Sequence, residues 1–207
     1  MLLYFIWEKE MLSMKENLTQ LLFSFDYALV PPGHGDEALK ALKNFASAVK
    51  ATNKEIRVSA ISFNDGAEIK IVNTPIDKVK FPKLGAGAKA GGACSMLDRT
   101  SKLIDDIGVR LTNTPEEERP SQIILTILVF GRDNASKSCT YERLREMIAH
   151  QRDVYKWKFY LITDFSINME KLGIAEEDTI ILKHVKGDWF KEPFAELSDK
   201  IVALSQK

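Results

Sequence analysis

Cysteine is scarce in this 207-residue chain: only Cys94 and Cys139 occur, with neither the spacing of metal ligands nor the number needed for a disulfide framework. A reducing cytoplasm is the location expected from that usage. Excess charge of either sign is also absent. Lysine and arginine total 29 and are balanced by 29 aspartates and glutamates, so no global field steers the chain toward nucleic acid or an anionic membrane. Neither is expected as a partner. No apolar run is long enough to cross a bilayer. The apolar start, Leu2 to Trp7, is too short for the hydrophobic region of a signal peptide and lacks the preceding basic stretch. Catalytic signatures are missing as well. The chain has no Gly-x-Ser-x-Gly elbow, no phosphate loop, no His-Glu-x-x-His and no Gly-x-Gly-x-x-Gly. No catalytic residue is assigned, no cofactor is expected, and the chain reads as a non-enzyme.

What is present is an ordinary globular composition, 45% apolar and 28% charged. A chain of this length can bury roughly 70% of its unfolded surface without staples. Residues 14–207 are read as one domain, and residues 1–13 as a loosely attached extension ahead of a second start at Met14. In that extension Phe5 and Trp7 offer the alternative of an anchor on a partner. Leu21 to Phe25 is an apolar run suited to a central strand covered on both faces. After Pro31-Pro-Gly-His-Gly35, Asp36 and Glu37 open a helix whose apolar positions (Ala38, Leu39, Leu42, Phe45, Ala46, Val49) recur at helical spacing. Strands are expected over 56–63 and 67–72, joined through Asn64-Asp65-Gly66, a hairpin turn signal. That pair places one antiparallel edge strand on an otherwise parallel sheet. A Gly, Ala and Lys-rich loop follows over 83–92, then a helix from Met96, a strand over 123–130, a helix over 140–154, strands over 159–163 and 179–182, and a closing helix over 190–205. Strands alternating with helices specify an α/β fold: a doubly wound, mostly parallel six-stranded sheet, Rossmann-like, with helices on both faces and a working crevice at the carboxyl ends of the parallel strands.

Three segments carry a more specific likeness. Leu21-Leu-Phe-Ser-Phe-Asp26 is followed by Tyr27-Ala28-Leu29-Val30, later by Gly92-Ala-Cys-Ser-Met-Leu-Asp98, and later still by Leu128-Val-Phe-Gly131. In order and spacing they resemble the von Willebrand factor A (vWA) family, whose metal-site loops run Asp-x-Ser-x-Ser, Gly-x-Thr and Thr-Asp-Gly. The likeness extends from about Met14 to about Ile174. Gly131-Arg-Asp-Asn-Ala-Ser136, Tyr141, Met147-Ile148, Tyr155-Lys-Trp157-Lys-Phe159 and Leu172-Gly-Ile174 follow the pattern of a bacterial branch. The resemblance implies strand order 3-2-1-4-5-6 and a ligand-binding top face, where many members hold protein ligands through a divalent cation.

The metal-bearing positions are altered. Ala28 and Val30 stand where the family has serines, Cys94 where it has threonine, and Phe130 where it has the second aspartate; only Asp26 is retained. A hard cation such as Mg²⁺ requires oxygen ligands, which alanine, valine and phenylalanine do not supply and which cysteine replaces with a soft sulfur. The resemblance therefore implies a retained fold and a degenerate metal site, with Asp26 as the sole residual candidate ligand. The expected function is metal-independent protein binding through the top face: Asp26, Tyr27, Ala28, Leu29, Val30, Cys94, Ser95, Phe130 and Arg132, for a protein partner of unknown identity. Tyr27 and Arg132 are of residue types that anchor interfaces. Two alternatives remain open. One is a metal-dependent hydrolase or phosphatase using Asp26 with Asp164 or Asp133, with His34 and Asp36 as further candidates. The other is a structural subunit of a larger assembly. Asp98 is read as a partner of a helix N-terminus, Trp157 and Trp189 as packing residues, and Lys78, Lys80, Lys83 and Lys89 as a solvated basic tract.

Overall fold

The computed structural model describes residues 14–25, 35–52, 54–62, 70–81, 93–129, 131–164, 167–182 and 190–205. Its centre is strand β1 (Lys15–Phe25), which pairs in parallel with β2 (Glu55–Ser62) on one side and β4 (Pro120–Val129) on the other. β3 (Lys70–Pro75) adds antiparallel to β2, while β5 (Lys158–Thr163) and β6 (Thr179–Ile181) extend the sheet in parallel beyond β4. The order is β3-β2-β1-β4-β5-β6, as the sequence resemblance implied.

Helices α1 (Gly35–Lys50) and α5 (Lys191–Ser205) cover one face; α2 (Met96–Thr112), α3 (Tyr141–Tyr155) and the short α4 (Met169–Leu172) cover the other. Side chains alternate across a strand, so β1 sends Leu21, Phe23 and Phe25 to the first face and Leu22 to the second. Both sets are buried, which is why the run reads as continuously apolar. On the first face Phe45 of α1 meets Phe23 and Phe194 edge-on, at ring-centroid distances of 5.7 and 6.0 Å. On the second, Trp157 is buried and stacked on Phe159.

Strands β1, β3 and β4 run beyond their expected limits, β4 beginning at Pro120 rather than 123. β1 begins at Lys15, six residues before the apolar run, because its polar positions are satisfied from neighbours. Buried Gln20 donates through Nε2 to Arg57 O (3.2 Å) and Ser59 Oγ (3.3 Å), and its Oε1 accepts from Arg110 Nη2 (3.0 Å). β3 runs past the expected end at 72 to Pro75, across a bulge opposite Ser59. There Asn73 adopts φ 43° and its N–H donates to Ser59 Oγ, which breaks the two-residue alternation that sequence patterning relies on. The Asn64-Asp65-Gly66 turn, residues 1–13 and Trp189 lie outside the described residues. No helix among the described residues is long and apolar enough to cross a membrane.

Candidate functional site: the loops at the carboxyl ends of the strands

The N-terminus of α2 and the loop following β4 are joined by reciprocal hydrogen bonds. Ser95 occupies the N-cap position of α2, yet its side chain caps nothing. The first N–H groups of the helix are met from the other loop instead: Leu97 N–H donates to Asp133 Oδ2 (2.8 Å) and Asp98 N–H to Ser136 Oγ (3.1 Å). Asp133 is held in place by Ser136, whose N–H and hydroxyl donate to its two carboxylate oxygens at 3.0 and 2.7 Å. The Asp-x-x-Ser spacing makes that local turn possible, since a short carboxylate reaches the backbone just ahead of it.

The bonding also runs the other way. The Asp98 carboxylate accepts from the backbone N–H groups of Lys137, Ser138 and Cys139 at 2.8, 3.0 and 2.7 Å. Cys94 completes the join: its carbonyl accepts from Asn134 N–H and Ala135 N–H, both at 3.0 Å, and its own N–H donates to Asn134 Oδ1 at 2.7 Å. Beneath the loops, Ser24 near the end of β1 and Thr100 in α2 share a 2.7 Å hydroxyl pair between two fully buried side chains. A carboxylate that accepts several backbone N–H bonds can fix a loop without a metal, because the donors themselves stabilise its charge.

The titration behaviour follows. Burial pushes the Asp98 carboxyl upward, but the three N–H donors, with Arg99 nearby, outweigh it and hold the group below its ordinary range. Burial raises the Cys139 thiol, and the negative charge of Asp98 adds to that effect, so this cysteine is disfavoured as a thiolate nucleophile. Burial likewise raises the Tyr141 phenol, reinforced by the charge of Asp133.

Of the residues expected on the top face, Asp26, Tyr27, Ala28, Leu29, Val30 and Phe130 lie outside the described residues, as do Gly92 and His34. Arg132 is exposed and Ser95 partly so. Cys94 is buried, and its sulfur belongs to the core beneath α2 and α3, so its contribution to the face is its backbone. Asp164, at the end of β5, accepts from Gly131 N–H at 3.4 Å; Gly131 has φ 96°, a turn conformation that glycine adopts without strain. Asp133 and Asp164 thus both act as acceptors for protein donors. Among the described residues no three His, Cys, Asp or Glu side chains converge as a metal-binding group. Sequence reasoning placed Asp98 at a helix start and noted the Asn134-Ala-Ser136 turn, but it did not pair them. A carboxylate in the first turn of one helix and an Asp-x-x-Ser turn near the start of the next were the available signals.

No family profile and no curated protein matches this chain. Solved structures do. Proximal thread matrix protein 1 from the mussel byssus superposes with a TM-score of 0.56 at 15% identity, covering 93% of this chain and 47% of that one. The pilus adhesin SpaC from Lactobacillus rhamnosus GG gives a TM-score of 0.56 at 10% identity, covering 91% of this chain and 31% of that one. The chain therefore spans about half and about a third of these two proteins, and the likeness is one of fold.

Proposed function

We propose that this chain is a protein-interaction domain of the vWA type whose top face binds its partner without a cation. The observation that carries this reading is the direct joining of the two loops. Asp98 and Asp133, the carboxylates that stand between the loop after β4 and the start of α2, are bonded to backbone N–H groups and a serine hydroxyl. A surface held this way has its shape before the partner arrives, which lowers the ordering cost of association. The altered family positions Ala28, Val30, Cys94 and Phe130 support the same conclusion from the sequence, since together they offer no oxygen side chain. The domain is non-enzymatic, and both free cysteines suit a cytoplasmic location.

Tyr27 and Arg132 are the contact residues this reading depends on. The test is partner capture by the parent chain and by a Tyr27→Ala, Arg132→Ala variant, in EDTA and in millimolar Mg²⁺. The expected result is loss of capture in the variant, an unchanged circular dichroism spectrum, and no difference between EDTA and Mg²⁺. Capture that survives the double substitution, or that requires Mg²⁺, refutes the reading. A structural role within a larger assembly is the second reading, favoured by the likeness in fold to a thread matrix protein and a pilus adhesin. It differs in predicting that the top-face substitutions leave assembly intact.

A further inference from the structure

A groove of about 550 Å³ lies between α1 and the segment that follows β3. Its α1 side is built from Leu39, Lys43, Ala46 and Lys50, spaced four, three and four residues apart and so aligned along one helical face. Val79 and Phe81 form the opposite side. Leu39, Ala46, Val79 and Phe81 are half-buried, and the last three rest on the core cluster beneath. They leave an apolar strip exposed along the bottom of the groove.

The rim is basic. Lys43, Lys50 and Lys80 are exposed around the strip, whereas the single carboxylate among the described lining residues, Asp77, lies 3.8 Å from Lys50. Three lysines against one aspartate give a local positive field on a chain whose net charge is zero. We propose that this groove docks an acidic, amphipathic segment of a partner protein, with apolar side chains on the Leu39–Ala46–Val79–Phe81 strip and carboxylates toward Lys43 and Lys80. The open, elongated shape suits a helix or extended segment laid into a groove, with regularly spaced apolar anchors. The surface is separate from the one in the preceding proposal, since neither Tyr27 nor Arg132 lines it.

The probe is a fluorescein-labelled synthetic amphipathic helix with Leu and Phe along one stripe and Glu on both flanks. Its control is a twin in which every Glu is Lys. Binding is read by fluorescence anisotropy on the full-length chain. The Glu helix is expected to bind, to weaken as salt rises, and to lose about tenfold in affinity with a Lys43→Glu, Lys80→Glu variant. The Lys twin is expected to prefer that variant over the parent. Phe81→Ser is expected to weaken both peptides. Equal binding of the two helices to the parent, no binding of either, or indifference to Phe81→Ser overturns the proposal. Two competing occupants are distinguished by further arms. If the Glu helix binds only when the full chain carries Phe5→Ser and Trp7→Ser, the groove belongs to the chain's own first thirteen residues. If binding is lost as the protein self-associates in sedimentation experiments, it belongs to a second copy. Either result also overturns the assignment to a partner.

Discussion

Replacing Asp133 with alanine separates a structural clamp from a cation ligand. In the clamp, Asp133 accepts from Leu97 N–H, Ser136 N–H and the Ser136 hydroxyl. Loss of a side-chain acceptor at a helix N-terminus costs about 1 kcal/mol. The two bonds to Ser136 contribute about 1 kcal/mol each in net terms. Asp133 is only half-buried, so water replaces part of what is lost, and the expected cost is about 2 kcal/mol. In a domain of this size that corresponds to a fall of roughly 4–8 °C in melting temperature. Asp133→Asn retains an acceptor oxygen but loses the charge, so its fall is expected to be about half as large.

The assay is a thermal melt of parent and variants in EDTA, followed by circular dichroism. The metal-free condition is essential. A carboxylate that serves as a cation ligand repels its acidic neighbours when the cation is removed, so its replacement leaves the apo protein unchanged or more stable. A clamp residue behaves in the opposite way and destabilises the metal-free protein. If Asp133→Ala melts within about 1 °C of the parent in EDTA, the clamp is not contributing and metal-independent binding loses its main support.

Asp98 predicts a pH dependence. Its carboxyl is held below the ordinary range in the folded chain, so the unfolded chain binds more protons as pH falls. The Asp98 contribution is therefore complete above about pH 5, and it is lost as pH falls through the unfolded value near 4 toward the folded one. Urea melts of Asp98→Asn are expected to differ from the parent at neutral pH and to converge with it in acid; a constant difference refutes this. The Ser24–Thr100 pair calls for a double-mutant cycle: Ser24→Ala or Thr100→Val leaves one buried hydroxyl unpaired at a cost of about 1–3 kcal/mol. The double variant is expected to cost less than the sum of the two, and strict additivity would show that the pair is not coupled. Adding millimolar Mg²⁺, Mn²⁺ or Ca²⁺ to the parent is expected to leave its melting temperature unchanged, whereas a cation at a hundred times its dissociation constant adds about 2.7 kcal/mol. Gly173→Ala is expected to cost about 1 kcal/mol in denaturant melts, mainly from its φ of 67°, because the nearest obstacle is the flexible Arg145 side chain at 3.2 Å.

The fold was legible in the sequence because burial on two faces leaves a simple trace. Leu21 to Phe25 and Ile123 to Val129 are continuous apolar runs, and α1 carries a clean helical stripe. The places that were harder to read are those where polar groups do structural work. Thr19 and Gln20 are buried in β1, but Gln20 is tolerated only because Arg57, Ser59 and Arg110 satisfy it from 37 to 90 positions away. Asn73 ends the alternation of β3 through its own backbone conformation, which no neighbour in sequence announces. The loop clamp was hidden for the same reason. Asp98 lies 38 to 41 positions from the loop groups it engages, and reading residues locally assigns it to its own helix.

On the proposed reading, the chain orders its top-face loops without a cation, and the clamp supplies that order. A cation orders loops by attracting oxygens from several segments to one point. In this chain two segments, the start of α2 and the loop after β4, are drawn together by pairing donors with acceptors: Asp133 and Ser136 meet the N–H groups of α2, and Asp98 meets those of residues 137–139. Each carboxylate gains charge-assisted bonds, and each loop loses backbone donors that would otherwise need water. Asp98 and Asp133 each already accept three hydrogen bonds, which leaves each with less capacity to bind a cation. Introducing serine at positions 28 and 30, threonine at 94 and aspartate at 130 is expected to leave Mg²⁺ binding weak while the clamp stands. Mg²⁺ titration of that variant, with and without Asp133→Asn, measures this competition. Tight binding with Asp133 and Asp98 left intact would show that the clamp and the cation are compatible.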